Sequence, residues 1–129
     1  MMNILIADDD RVQTLMLSTR LKAKGFRVAV AFDAIQAWMS AIRSPPDVII
    51  LDIRMPGGSG IAVLKQLKLS TKTSHIPVIV LTGTIDPCEA PGLKELGVTQ
   101  ILYKPVDLER LDLALSQFVE NPLDSPSAR

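Results

Sequence analysis

The stretch Val48 to Pro56, VIILDIRMP, constrains this chain more than any other. Its first four residues are apolar and mostly β-branched, with no polar residue among them. A strand of that composition is buried on both faces, and such strands belong to parallel sheets covered by helices on each side. Pro56, Gly57 and Gly58 then end the run in a loop. Asp52 therefore falls at the carboxyl end of a central parallel strand, the edge where open α/β sheets bind ligands. A single aspartate in such a place more often caps a turn, so its chemistry depends on what else the fold brings to that edge.

The rest of the chain repeats the alternation. Asn3 to Ala7 is a short apolar run, and Val12, Leu15, Met16, Thr19 and Leu21 then recur near helical spacing as far as Lys24 and a glycine stop at Gly25. Arg27 to Ala31 reads as a second strand, and Asp33 is placed to cap a helix whose Ile35, Trp38, Met39 and Ile42 share one face until Ser44, Pro45 and Pro46. After the Asp52 loop a third helix starts near Ser59 and Gly60 and carries Ile61, Leu64 and Leu67. Pro77 to Leu81 makes a fourth strand, with its proline at the start where the missing N–H does least harm. Pro87, Pro91 and Gly92 leave the next helix short or broken, with only Leu93 to Leu96 periodic. Gln100 to Tyr103 is a fifth strand, Lys104 and Pro105 a turn, and Asp107 an N-cap for a helix carrying Leu108, Leu111, Leu115 and Val119.

Five strands alternating with helices over short connections predict an α/β fold, a doubly wound five-stranded parallel sheet flanked by helices. Residues 1–120 are expected to form one domain, and 121–129, with two prolines and two serines, a flexible C-terminal tail.

Composition narrows the function classes. Lys+Arg and Asp+Glu each number 14, so no basic excess points to nucleic acid. The single cysteine, Cys88, has no partner for an internal disulfide, and no Cys/His cluster has zinc-ligand spacing. No signal peptide precedes the first aspartates, and no apolar run approaches the length of about 18 residues that a membrane helix needs. These features predict a cytoplasmic protein that contacts neither membrane nor nucleic acid directly.

In a parallel sheet every strand's carboxyl end lies on one edge. Asp8 and Asp9 follow the first strand, Asp52 the third, Thr82 the fourth and Lys104 the fifth, so residues far apart in sequence converge there. Three carboxylates within roughly 5 Å repel one another by about 3 kcal/mol per pair at an effective dielectric near 20. A hard divalent cation answers that repulsion, and carboxylate, carbonyl and water oxygens suit Mg²⁺. Lys104 adds a positive point charge and Thr82 a hydroxyl donor. The set amounts to a carboxylate nucleophile surrounded by groups that neutralise phosphoryl oxygens, and its product is an aspartyl phosphate on Asp52.

Four segments, ILIADDD at 4–10, DVIILDIRMP at 47–56, LTG at 81–83 and YKP at 103–105, in this order and spacing resemble the response-regulator receiver domain of two-component signalling, including its chemotaxis members. The resemblance covers about residues 3 to 120 and implies the flavodoxin-like receiver fold. It implies that Asp52 is the phosphoacceptor, receiving its phosphoryl group from a histidine kinase or histidine phosphotransfer protein in a Mg²⁺-dependent reaction. Asp9 and Asp52 would ligate Mg²⁺, Asp8 would act mostly through water, and the backbone carbonyl of Arg54 would complete the protein ligands. Thr82 would move toward the phosphoryl group and Lys104 would pair with it, switching a surface that binds a downstream protein target. Such a domain is not an enzyme for a separate substrate; it catalyses only its own phosphorylation and dephosphorylation.

Some positions depart from the family pattern. Gly57, Gly58 and Gly60 replace an acidic turn and predict a more mobile loop, and Ile101 stands where the family has a switch aromatic. Residues 97–100, GVTQ, lack the acidic pair through which transcription-factor relatives dimerise, which predicts a monomer. Asp10 reads as solvated, His75 as an exposed loop residue, Cys88 as an inert thiol, Trp38 as packing, and Lys65, Lys68 and Lys72 as a solvated face. An aspartate-nucleophile phosphohydrolase would need a second aspartate where Arg54 stands, and a flavodoxin-like cofactor binder would meet repulsion at Asp8 to Asp10. The alternative is a pseudo-receiver that is never phosphorylated and serves as a protein-interaction scaffold.

Overall fold

The computed structural model describes residues 2–55, 58–83 and 90–119. The expectations for Pro56, Gly57, Pro87, Cys88 and the 121–129 tail fall outside the described residues. The elements run β1 (Asn3–Ala7), α1 (Arg11–Ala23), β2 (Arg27–Ala31), α2 (Ala34–Arg43), β3 (Val48–Leu51), β4 (Arg54–Met55), β5 (Gly58–Ser59), α3 (Gly60–Leu69), β6 (Val78–Thr82), α4 (Ala90–Glu95), β7 (Val98–Tyr103) and α5 (Leu108–Val119). Five strands form one parallel sheet in the order β2-β1-β3-β6-β7, so the chain winds outward from β1 in both directions. The sequence did not announce β4 and β5, a short antiparallel pair just after Asp52.

Alternation along the strands divides the core into two layers. Ile4, Ile6, Val48, Ile50, Ile79 and Leu81 point to the side where α1 and α5 supply Leu17, Leu21, Leu111 and Leu115. Leu5, Ala7, Ile49, Leu51, Val78 and Val80 point to the side covered by α2, α3 and α4. The central strand β3 is buried along its whole length, as its composition requires.

The large apolar residues misidentified the inner faces of the first two helices. On α1 the buried residues are Thr14, Leu17, Ser18 and Leu21, while Val12 is 81% and Leu15 68% exposed. On α2 the buried residues are Ala34, Ala37 and Ala41, and Ile35 and Met39 face outward. Small residues let a helix approach the sheet and its neighbour closely, and a count of large apolar side chains does not register them. Trp38 is half-buried against the core, as its spacing suggested. Helix α4 is short, but Pro91 lies in its first turn, where a missing N–H costs nothing, so the proline starts the helix. Strand β7 begins at Val98, two residues before the expected Gln100, across a register shift against β6.

Charge brings one correction, at Lys68, and one addition, at Asp10. Lys68 is not solvated: its Nζ donates to the carbonyls of Ser74 at 3.0 Å and Ile76 at 3.2 Å, which ties α3 to the start of β6. Asp10 is exposed but caps α1, its Oδ1 accepting from Gln13 N–H at 3.0 Å. Lys65, Lys72 and His75 are exposed as expected.

Helices α1 and α5 are joined by Arg20, whose Nη2 donates to Asp112 Oδ2 at 2.6 Å, with Lys24 Nζ at 3.5 Å from the same oxygen. The contact is single-pronged, because Arg20 Nε and Asp112 Oδ1 have no hydrogen-bond partner among the described residues. Partial burial pushes the Asp112 carboxyl upward, but the hydrogen bond from Arg20 and the charges of Lys24 and Arg20 outweigh it and hold the group below its ordinary value. Such a carboxylate contributes stability above its unfolded-state pKa of about 3.9 and loses it as pH falls through the lower folded value. Asp112→Asn should therefore lower the unfolding free energy by up to about 1 kcal/mol at neutral pH, since both partners are near the surface. Urea denaturation at pH 7 and pH 3 tests the sign, with the gap between variant and parent closing at the lower pH.

Candidate functional site

The ends of β1 and β3 are carried past their last residues by one further ladder bond each. Asp8 N–H donates to the Ala31 carbonyl at 3.0 Å, and Asp52 N–H donates to the Ala7 carbonyl at 2.8 Å. Both side chains are thereby held at the carboxyl edge of the sheet, and both are buried, Asp8 at 2% and Asp52 at 4% exposure. Asp9 follows on the same edge and is exposed. Oxygen atoms of Asp8, Asp9 and Asp52 lie within 4.8 Å of one another, the arrangement inferred from the strand order.

The counter-charge in the chain itself is Lys104. Its Nζ is 3.1 Å from Asp8 Oδ2 and 3.1 Å from Asp52 Oδ2, bridging two carboxylates from different strands. Burial works against the Lys104 ammonium, but its hydrogen bonds to Asp8 and Asp52 prevail and raise its pKa. Burial also pushes the Asp52 carboxyl up, and the Arg54 N–H and Lys104 bonds only partly offset it. The Lys104 backbone N–H donates to the Thr82 carbonyl at 2.8 Å, so the ends of β6 and β7 are locked together beside the carboxylates. Thr82 itself is fully buried.

Arg54 stands two residues beyond Asp52, and its backbone N–H donates to Asp52 Oδ1 at 3.0 Å. Asp52 is thus gripped through one oxygen by the backbone and through the other by Lys104. The tight return of the chain after it depends on Gly60. A Cβ there would come within 2.5 Å of Ile53 Cα and 2.6 Å of the Asp52 carbonyl oxygen, so only glycine lets α3 begin against the strand end. The helix start expected near Ser59 and Gly60 is where α3 begins, and the missing Cβ leaves the space it needs beside the Asp52 and Ile53 backbone. Reading missed Gln13, whose side-chain amide donates to Asp8 Oδ2 at 2.7 Å. The Asp10-x-x-Gln13 spacing marks a helix start directly after Asp8 but does not encode this contact. Ile101 is half-buried against the α2–α4 core layer, and the neighbouring aromatic Tyr103 is 53% exposed.

Carboxylate oxygens are hard donors suited to a cation such as Mg²⁺. The donor set fits: among the described contacts, three carboxylates meet one ammonium, and oxygen donors gathered in this way suit a divalent cation.

Residues 4–116 match the family described as the response regulator receiver domain. The chain is 36% identical over 104 residues to the response regulator PleD of Caulobacter vibrioides, a match covering 81% of this chain and 23% of PleD; the chain thus spans about a quarter of that relative's length. Among solved structures, the chemotaxis protein CheY4 of Vibrio cholerae superimposes with a TM-score of 0.85 at 29% identity, covering 92% of this chain and 99% of that one. The receiver domain of a Pseudomonas aeruginosa sensor histidine kinase, solved with a magnesium ion coordinated in its active site cleft, gives a TM-score of 0.81 at 26% identity, over 91% of this chain and 96% of that one.

Removing the lysine isolates its role. Lys104→Met leaves two buried carboxylates without their shared ammonium, and loss of one member of a largely buried ion pair costs on the order of 3 kcal/mol, reduced here because the lysine side chain is 23% exposed. The loss should shrink as pH falls, because a protonated Asp52 needs no counter-charge and its raised pKa brings protonation at higher pH than in an exposed aspartate. Thermal melts of both proteins without divalent cations, from pH 7.5 down to 4, give the comparison. A constant difference across that range would mean that the lysine stabilises through packing alone.

Proposed function

Because the chain belongs to the response regulator receiver domain family, we propose that Asp52 accepts a phosphoryl group from a histidine kinase or histidine phosphotransfer protein and that Asp8, Asp9 and Asp52 hold the Mg²⁺ the transfer requires. The observation that carries this reading is the meeting of three carboxylates within 4.8 Å beside a lysine that bridges two of them. The backbone carbonyl of Arg54 is the remaining protein ligand. When bound, the cation supplies charge neutralisation at the phosphoryl oxygens.

The chain's own residues do the rest. Asp52 is held by the Arg54 N–H on Oδ1 and the Lys104 ammonium on Oδ2, which fixes the plane of its carboxylate before any donor arrives. In the transfer an Asp52 oxygen forms a bond to phosphorus as the bond from phosphorus to the donor's nitrogen breaks, giving an acyl phosphate and a free imidazole. Lys104 stands on a flexible stem and moves its charge from the carboxylates to the phosphoryl oxygens, and the Thr82 hydroxyl donates to the same group. Hydrolysis of the acyl phosphate at the same site resets the domain. Residues 1–120 make up this unit, with 121–129 as its tail, and the modified domain presents an altered surface to a downstream protein in the cytoplasm. Among the described residues no helix is long and apolar enough to cross a membrane.

Incubation with Mg²⁺ and acetyl phosphate should add one phosphoryl group, stable in acid and labile in base, and Asp52→Asn should abolish it. Intact-protein mass spectrometry reads the result; undiminished labelling of the variant would overturn the assignment of Asp52, and no labelling of the parent would favour the scaffold reading. The domain should also remain monomeric when loaded with beryllofluoride, because residues 97–100 offer no acid for an intersubunit ion pair and Ile101 offers no ring to reposition. Analytical ultracentrifugation with and without the mimic decides it, a mimic-dependent dimer being the contrary result.

A further inference from the structure

Helices α1 and α2 open with the same pattern, Asp10-x-x-Gln13 and Asp33-x-x-Gln36. In both, the aspartate caps the helix by accepting from the glutamine's backbone N–H, at 3.0 Å in α1 and 2.8 Å in α2. The glutamine side chains then differ. Gln36 ties down the helix start, its Oε1 accepting at 2.9 Å from the backbone N–H of Phe32, the residue before the cap. Gln13 instead turns its amide nitrogen to Asp8 Oδ2 at 2.7 Å, shorter than the described contacts of that carboxylate with Asp10 N–H and Lys104 Nζ. One sequence device has been diverted from finishing a helix to holding a buried carboxylate.

The remaining contacts on Asp8 show what the diversion achieves. Oδ1 accepts from Asp10 N–H at 3.0 Å and lies 3.4 Å from Lys104 Nζ, and Oδ2 lies 3.1 Å from that same Nζ. Lys104 is shared with Asp52 and is the group that serves the phosphoryl oxygens in the function proposed above. Once it turns to them, Gln13 is the one side-chain donor that the described contacts leave on Asp8. A neutral amide suits the position. It satisfies a buried anion without adding a positive charge that would repel a cation beside Asp9 and Asp52.

We infer that Gln13 is a positioning residue for the metal site: its amide nitrogen orients the Asp8 carboxylate for Mg²⁺ through a 2.7 Å bond, whereas its counterpart Gln36 uses its amide oxygen to tie down a helix start. The inference rests on the proposed Mg²⁺ site and adds a residue outside the set of ligands. Donors that hold a ligating carboxylate typically change metal affinity by 10–100-fold when removed.

The test is Mg²⁺ titration calorimetry on the full chain, with no phosphodonor, paired with thermal melts of the metal-free proteins. Gln13→Met keeps the length and loses the donor, and should weaken Mg²⁺ binding about tenfold or more. Gln13→Asn keeps an amide too short to reach Asp8 and should show the same loss. Gln36→Met removes the equivalent residue from α2 and should leave Mg²⁺ affinity within twofold of the parent, while lowering the metal-free melting temperature as a lost cap does. Gln13 variants within twofold of the parent overturn the inference, as does an equal loss in the Gln36 variant, which would trace the effect to helix starts in general. A parent that binds no Mg²⁺ overturns the metal site itself, and the role of Gln13 with it.

Discussion

Electrostatic repulsion at one edge of the sheet is the constraint on which the rest of this structure depends. Parallel strands β1 and β3 deliver Asp8 and Asp52 to neighbouring positions with 2% and 4% exposure, where water cannot screen them. Lys104 resolves the conflict only because β7 brings it to the same edge from the far side of β6. The ion pairs therefore couple the first, third and last strands of the sheet, and the bond from Lys104 N–H to the Thr82 carbonyl adds the fourth. A site built this way is inseparable from the strand order.

Much of this was legible in the sequence for a physical reason. Short β-branched runs ended by polar residues specify where parallel strands stop, and in a doubly wound sheet the stopping points share an edge. Asp8, Asp9, Asp52, Thr82 and Lys104 each sit just after such a run or at its last residue, so their convergence followed from topology alone. The inner helix faces were less legible. On α2 the fully buried residues are alanines, beside a half-buried Trp38, and the larger Ile35 and Met39 drew the reading toward the outer face. Periodicity reports which residues are apolar, whereas close packing against a sheet selects residues that are small.

Gln13 and Gly60 were missed for a related reason. Each acts through a contact that sequence spacing does not encode: a side-chain amide turned back five residues to Asp8, and an absent Cβ beside the Asp52 and Ile53 backbone. Glycine-rich segments read as mobile because glycine widens the choice of backbone conformations. Here the requirement is for space, and it tightens the structure around the site.

The same edge explains why the lysine alone is not a sufficient partner. Among the described contacts, one ammonium is shared by Asp8 and Asp52, with Asp9 exposed beside them, at the edge where in the proposed function a phosphoryl group, itself an anion, approaches. Moving Lys104 onto that group would strip both buried carboxylates of their counter-charge unless other donors remained. The Arg54 N–H on Asp52 and the Asp10 N–H with the Gln13 amide on Asp8 are such donors, and all three are neutral. They stabilise the anions without competing for the place of a cation. If the lysine serves the phosphoryl oxygens as proposed, its charge is thereby free to follow them while fixed dipoles hold the carboxylates in register.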